Sequence, residues 1–221
     1  ATKGGIRPGV PYDWSGAYLT AACEASLRRL GVDHVDLWQL HAWDPLTPVE
    51  ETLGALDTAV SSGKARYVGI SNYSGWQTAT VTAHQAARLA VARPVSTQME
   101  YSLLQRGIER EVVGAAEAGG LGILPWSPLG RGVLTGKYRH GTPADSRAAS
   151  SHFSSFIAPF LGERSRLIVD AVCTAAEGLG VAPLEVALAW VRDRPGVVAP
   201  IVGARTAAQL RGALTVEQLE L

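Results

Sequence analysis

Asp36-Leu37-Trp38-Gln39-Leu40-His41 is a short, almost wholly apolar run that ends in a histidine. It is too short for a helix and follows a helical stretch that carries its own stop signal, so it reads as a strand buried on both faces. His41 then sits where the strand emerges. In a closed parallel barrel the chemistry gathers at the carboxyl ends of the strands, because loops from different βα units converge there on one mouth.

Working outward, the same rhythm recurs. Upstream, Ser15 is a good N-cap, and Leu19, Cys23, Leu27 and Leu30 follow at helical spacing until Gly31. Downstream, Thr47-Pro48-Val49-Glu50 reads as a capping box with proline at the first helical position, and Leu53, Leu56 and Val60 carry the apolar stripe to Gly63. Tyr67 to Ser71 is the next apolar run. Ser74 to Gln77 is a second capping box, opening a helix expected to reach Ala92. Val95 to Met99 and Leu121 to Trp126 repeat the strand pattern around a helix over Ile108 to Ala118 that Gly119-Gly120 ends. His41, Ser71, Gln98 and Ser127 follow one another at intervals of 30, 27 and 29 residues, each the length of one βα unit.

Beyond Ser127 the rhythm breaks. Gly130 to Gly162 is long, polar and glycine-rich and reads as an active-site loop or a partly disordered segment. Helices are expected over Ser165 to Leu179 and Pro183 to Arg192, then a strand over Val197 to Val202. A third capping box, Thr206 to Gln209, opens a last helix. Counting a strand that ends at Lys3, six strands are present. The fold class is therefore α/β, a (β/α)8 TIM barrel incomplete at its amino terminus, with residues 1–221 as a single domain; a full barrel has eight strands and typically about 250 residues.

Composition narrows the function classes. The chain has 221 residues, 47 % of them hydrophobic and 18 % charged, enough for a large core. Lysine plus arginine balances aspartate plus glutamate at 20 each, so no global field draws the protein to nucleic acid or an anionic membrane. Two cysteines, Cys23 and Cys173, lie in expected amphipathic helices; they suit buried thiols in a reducing compartment, hence the cytoplasm, better than a disulfide framework. The five histidines lack paired ligand spacing, so no metal site is expected.

Ala1-Thr2-Lys3, Asp36 to His41, Val68-Gly69-Ile70-Ser71-Asn72-Tyr73, Gln98-Met99-Glu100-Tyr101-Ser102-Leu103-Leu104, Pro125-Trp126-Ser127-Pro128-Leu129, Leu134-Thr135-Gly136-Lys137-Tyr138 and Pro200 to Thr206 together resemble the aldo-keto reductase superfamily, in its bacterial and potassium-channel beta-subunit-like branch. Each tag alone is weak. Their order and intervals through the whole chain are specific. The resemblance implies NADPH, with NADH as the alternative, and reduction of an aldehyde or ketone to an alcohol. It assigns His41 and Lys3 to a catalytic Asp/Tyr/Lys/His tetrad whose aspartate and tyrosine are expected ahead of Lys3; neither Tyr12 nor Tyr18 matches the family's tyrosine.

Carbonyl reduction delivers hydride to carbon and a proton to oxygen, so hydrogen-bond donors must surround the developing alkoxide. The resemblance places Ser71, Asn72 and Gln98 on the nicotinamide carboxamide and stacks Trp126 on its ring. Ser127, Pro128, Leu129, Gly130 and Gly132 would approach the pyrophosphate with Lys137 supplying charge, and Gly203 leads Arg205 into a helix N-terminus that favours an anion. Arg205, Gln209 and Arg147 match contacts to the adenosine end, the arginines favouring a 2′-phosphate. Gly212 and Ala213 depart from the acidic residue and asparagine of many relatives there. Trp43 and Trp14 are candidate walls of a substrate pocket for a hydrophobic carbonyl compound. Two other readings remain open: a nicotinamide-binding regulatory or redox-sensing subunit with little turnover, and an unrelated barrel that binds a phosphorylated metabolite.

Overall fold

A computed structural model describes residues 1–4, 13–89, 91–144, 146–151 and 153–221, with only the backbone at 147. Five strands lie in one sheet in chain order: β1 (Thr2–Gly4), β2 (Val35–Leu40), β3 (Ala65–Ser71), β4 (Pro94–Glu100) and β5 (Gly122–Trp126). The ladders from β1 to β4 are parallel. Helices α1 (Gly16–Leu30), α2 (Val49–Ser61), α3 (Gly75–Ala86) and α4 (Val112–Gly119) alternate with them, which is the βα repeat read from the spacing. After β5 come α5 (Ser154–Ile157), α6 (Glu163–Leu179), α7 (Pro183–Arg192) and α8 (Ala207–Leu214). The chain divides into two compact units. Ala1–Met99 with Glu109–Ile123 forms the first, and Glu100–Ile108 with Leu124–Leu221 forms the second.

In the first unit the strand expected over Asp36 to His41 runs from Val35 to Leu40 and is buried only in its second half: Trp38, Gln39 and Leu40 are inside, whereas Asp36 faces solvent and pairs with Arg66. Local signals set most boundaries. Ser15 caps α1 by accepting from Tyr18 N–H, and Gly31 ends the helix in the left-handed region at φ 68°. The Ser74–Gln77 capping box is present in both directions. The box expected at Thr47 is not. Pro48 precedes α2 without a side-chain cap, because the Thr47 hydroxyl donates to the buried Asp44 carboxylate at 2.5 Å, a stronger acceptor. Helix α3 stops at Ala86, short of Ala92. There Asp57 Oδ1 accepts from both Gln85 Nε2 (3.0 Å) and Ala92 N–H (2.9 Å), which pulls the chain out of the helix ahead of Pro94. The helix expected over Ile108 to Ala118 is split into a 3-10 turn, Gly107–Arg110, and α4, since Glu111 leaves helical geometry at φ −144°.

The second unit holds its own core. Val133, Leu134, Ile157, Phe160, Val169, Val172, Cys173 and Ala176 pack with α7, and Cys173, like Cys23 in the first unit, is a buried free thiol. Gly130 to Gly162 is not featureless: it carries 3-10 turns at Gly130–Thr135, Arg147–Ala149 and Ala158–Phe160, besides α5. The strand expected over Val197 to Val202 is reduced to one bridge between Ile201 and Trp126, with Ile201 N–H donating to Pro125 O at 2.7 Å. Pro200 has no N–H to extend that ladder, and Val198 faces solvent. The described strands thus number five plus a bridge where six were expected. Among the described residues no single helix is long and apolar enough to cross a membrane.

Candidate active site

Parallel pairing brings Lys3, His41, Ser71, Asn72 and Gln98 to the carboxyl ends of adjacent strands of the first unit. Lys3 pairs in register with Gln39, and Ser71 with Gln98. The Lys3 ammonium donates to Gln98 Oε1 at 2.6 Å, so it meets an amide oxygen rather than a carboxylate. Gln98 is 7 % exposed, and its Nε2 donates in turn to Gln39 Oε1 at 3.1 Å. Burial pushes the Lys3 pKa down. Burial first, and then the positive charge of Lys3, lower that of His41, which holds the imidazole neutral near pH 7.

The strand ends are tied together by the same residues. The Ser71 hydroxyl donates to Gln98 O at 2.8 Å, and Asn72 N–H donates to that carbonyl at 3.0 Å. Asn72 Nδ2 donates to His41 O at 2.9 Å. Asn72 sits at φ 59°, a left-handed conformation that asparagine tolerates better than most residues, and this turns its amide back across the loops.

Of the two candidate pocket tryptophans, only Trp43 lies near the surface. Its ring meets Tyr73 edge-on (centroids 5.3 Å, 81°) and Trp76 (5.4 Å, 64°). Trp76 is 59 % exposed and escaped the sequence reading because it sits inside the capping segment that opens α3. Trp14 is a core ring, 1 % exposed, whose backbone N–H donates to Asp44 Oδ2.

In the second unit a cavity of about 390 Å³ is lined by Ser127, Pro128, Leu129, Gly132 and Lys137 from one stretch and by Gly203, Arg205 and Gln209 from another. The first stretch winds through successive left-handed residues, Ser127 (φ 51°), Gly130 (54°), Arg131 (60°) and Gly132 (91°). Gly130 is required twice over, since a Cβ there would also lie 2.7 Å from Leu104 Cδ1; at Gly132 a Cβ would meet only the flexible end of Lys137, Nζ at 3.2 Å, so its backbone angle is the reason for glycine. The N–H groups of Gly130 and Gly132 are taken by the carbonyls of Ser127 and Leu129, so the expected backbone donors are turned into the loop. Cationic side chains are what this wall offers. Thr206 caps α8 by accepting from Gln209 N–H, whereas Gln209 Oε1 accepts from Arg205 N–H, so the third capping box closes one residue early. Trp126 is half-buried; its carbonyl accepts from Tyr101 N–H at 3.3 Å. Arg147 opens a 3-10 turn, and its side chain lies outside the described residues.

Arg131, passed over in the sequence, organises that loop. Its guanidinium grips Glu100 with Nε to Oε1 at 2.8 Å and Nη2 to Oε2 at 2.9 Å, donates to Phe156 O, and lies over the Phe156 ring at 3.5 Å and the Phe160 ring at 4.6 Å. The signal was an arginine flanked by two glycines, a poor place for a merely solvated charge. Among the described residues no group of three or more histidines, cysteines or carboxylates is arranged to hold a metal.

Comparison with known proteins gives this geometry its context. The family model "Aldo/keto reductase family" matches residues 1–221. The chain is 38 % identical over 90 % of its length to Uncharacterized oxidoreductase YrpG of Bacillus subtilis (strain 168), covering 58 % of that protein. It is 34 % identical over 95 % of its length to a 6-dehydroglucose reductase of Novosphingobium aromaticivorans, covering 60 %. It is 36 % identical over 87 % of its length to a probable voltage-gated potassium channel subunit beta of Oryza sativa subsp. japonica, covering 59 %. The chain spans about three fifths of the length of these curated relatives. With one family model running from the strand of Lys3 through the loop of Arg205, the chain belongs to the aldo/keto reductase family.

Proposed function

We propose that the protein is an NADPH-dependent oxidoreductase that reduces an aldehyde or ketone to an alcohol in the cytoplasm. The observation that carries this reading is the polar cluster at the strand ends of the first unit, where Lys3 is held on Gln98 and His41 stays neutral. The residues fit the cofactor. Ser71, Asn72 and Gln98 are amide and hydroxyl groups of the kind a carboxamide needs, and the cavity of the second unit is flanked by Lys137 and Arg205 as a phosphate-bearing group requires.

When bound, the nicotinamide supplies hydride to the carbonyl carbon. His41, neutral and half-buried, donates a hydrogen bond to the carbonyl oxygen, where negative charge develops. Lys3, partly withdrawn from water, adds a positive charge on the same side. The family resemblance assigns the proton to a tyrosine, the partner of the lysine that Lys3 matches. Tyr73 does not serve: it is buried in the core, and burial together with Asp44 pushes its phenol well above the ordinary range. Trp43, braced by Tyr73 and Trp76, walls the site against water and favours a hydrophobic carbonyl compound.

Single-turnover oxidation of bound NADPH by a panel of aldehydes and ketones, using the full gene product, tests the reading. Carbonyl-dependent loss of NADPH absorbance is expected, with His41→Ala slowing it by about a hundredfold or more. Dinucleotide binding without carbonyl-dependent loss would favour a second reading, a nicotinamide-occupied regulatory subunit, which the similarity to plant potassium channel beta subunits supports. No dinucleotide binding at all would refute both.

A further inference from the structure

Gln39 is a glutamine in the buried carboxyl-terminal half of β2, between Trp38 and Leu40 and 1 % exposed, and nothing in the proposed chemistry uses it. A buried amide without a purpose costs stability, because each of its polar groups must find a partner inside. Its partners are informative. Lys3, Gln39, Gly69 and Ser96 fall in one row across four parallel strands, each in register with the next. Gln39 Nε2 donates to Ser96 Oγ at 3.4 Å and Gln39 Oε1 accepts from Gln98 Nε2 at 3.1 Å, so the side chain on β2 reaches across β3 to two residues of β4.

That crossing is possible only because β3 has no side chain at the crossing point. A Cβ on Gly69 would sit 2.5 Å from Ser96 Oγ and 3.2 Å from Gln39 Cγ. The φ of Gly69 is not in the left-handed region, so the glycine is there for space and not for backbone conformation.

We infer that Gln39, passing over Gly69 to Ser96, is a positioning residue that fixes which end of the Gln98 amide faces the nicotinamide carboxamide. The direction of the chain is set at one end. An ammonium only donates, so Lys3 requires the oxygen of Gln98; Gln98 then presents N–H to Gln39 Oε1, and Gln39 presents N–H to Ser96. An amide held by Lys3 alone is free to rotate or flip whenever Lys3 shifts. Held also from behind by Gln39, it keeps its oxygen forward, where it accepts from the carboxamide N–H₂ of a bound nicotinamide. The inference rests on the proposed role of Gln98 and adds the element that makes it selective.

The test compares binding of NADP⁺ with binding of its analogue carrying an acetyl group in place of the carboxamide, which lacks the N–H₂. The full gene product is expected to prefer NADP⁺ by roughly five- to tenfold, the worth of one further hydrogen bond to the Gln98 oxygen, which already accepts from Lys3. Gln39→Met, which keeps the volume and removes the amide, should bring the preference to about twofold or less. Gln39→Glu retains an acceptor for Gln98 Nε2 and should restore most of it. Ser96→Ala loosens only the far end of the chain and should lower the preference partway, which keeps the idea testable if Gln39→Met does not fold. A thermal melt on each variant separates positioning from folding, since a loss of stability alone would weaken both ligands equally. If the unaltered protein binds neither dinucleotide, or binds both alike, the role of Gln98 itself fails. If it discriminates and neither Gln39→Met nor Ser96→Ala changes the ratio, Gln98 stands and the positioning role of Gln39 is overturned.

Discussion

Replacing Arg131 should loosen the loop from Ser127 to Lys137. The side chains of Arg131 and Glu100 are 13 % and 15 % exposed and joined by two parallel hydrogen bonds, 2.8 and 2.9 Å long. Removing one partner from a buried pair of this kind costs about 3–5 kcal/mol, because the other is left charged and desolvated. The remaining exposure of Glu100 trims that to about 2–3 kcal/mol, and lost contact with the Phe156 and Phe160 rings adds about 0.5–1 kcal/mol to the loss. Arg131→Met is therefore expected to destabilise the protein by about 3 kcal/mol in urea unfolding. Glu100→Met in the Arg131→Met background should recover at least about 1.5 kcal/mol, because two apolar groups in place of a pair leave no orphaned charge. A single-variant loss below about 1 kcal/mol, or strict additivity in the double variant, would refute the view that this pair holds the loop.

Three further outcomes are expected. Gly69→Ala forces a Cβ to within 2.5 Å of Ser96 Oγ and 3.0 Å of Ser96 O, costing about 1–3 kcal/mol, and Ser96→Gly in the same chain should return part of it; a neutral Gly69→Ala in chemical denaturation would contradict the packing. Because the folded-state pKa of His41 lies below its ordinary value of 6.5, the unfolded chain binds more protons between the two values, so stability falls as pH drops through 6.5 and levels off below the folded pKa; His41→Gln should flatten that slope in melts from pH 7.5 to 5, and identical slopes would dismiss the assignment. Lys137→Ala should weaken NADPH and NADH about tenfold alike, whereas Arg205→Ala should weaken NADPH about tenfold and NADH little; titration calorimetry that finds both variants unchanged would remove the phosphate role from the second unit.

Much of the candidate site was legible because parallel sheets place strand ends by counting. His41, Ser71 and Gln98 were found from apolar runs at near-equal intervals, and the ladders put them on neighbouring strand ends of the first unit. Errors arose where a side chain had two partners to choose between. Thr47 looked like a cap and bonded Asp44; Gln209 looked like the return half of a box and took the N–H one residue earlier. Sequence spacing names the candidates for such a bond, but the winner is set by which acceptor the fold brings nearest.

The sequence by itself determined the alternation of strand and helix and the place of His41 at a strand end, because periodicity, caps and glycine stops are local and survive in one dimension; Lys3 and Arg205 were singled out by the ordered motifs that resemble the family. Tertiary structure alone decided that Trp14 is core while Trp76 is exposed, that Arg131 is clamped by Glu100, and that Gly69 opens a gap for Gln39. These depend on side chains from segments 30 or more residues apart meeting at a few ångströms, and that proximity is a property of the packed sheet and loops.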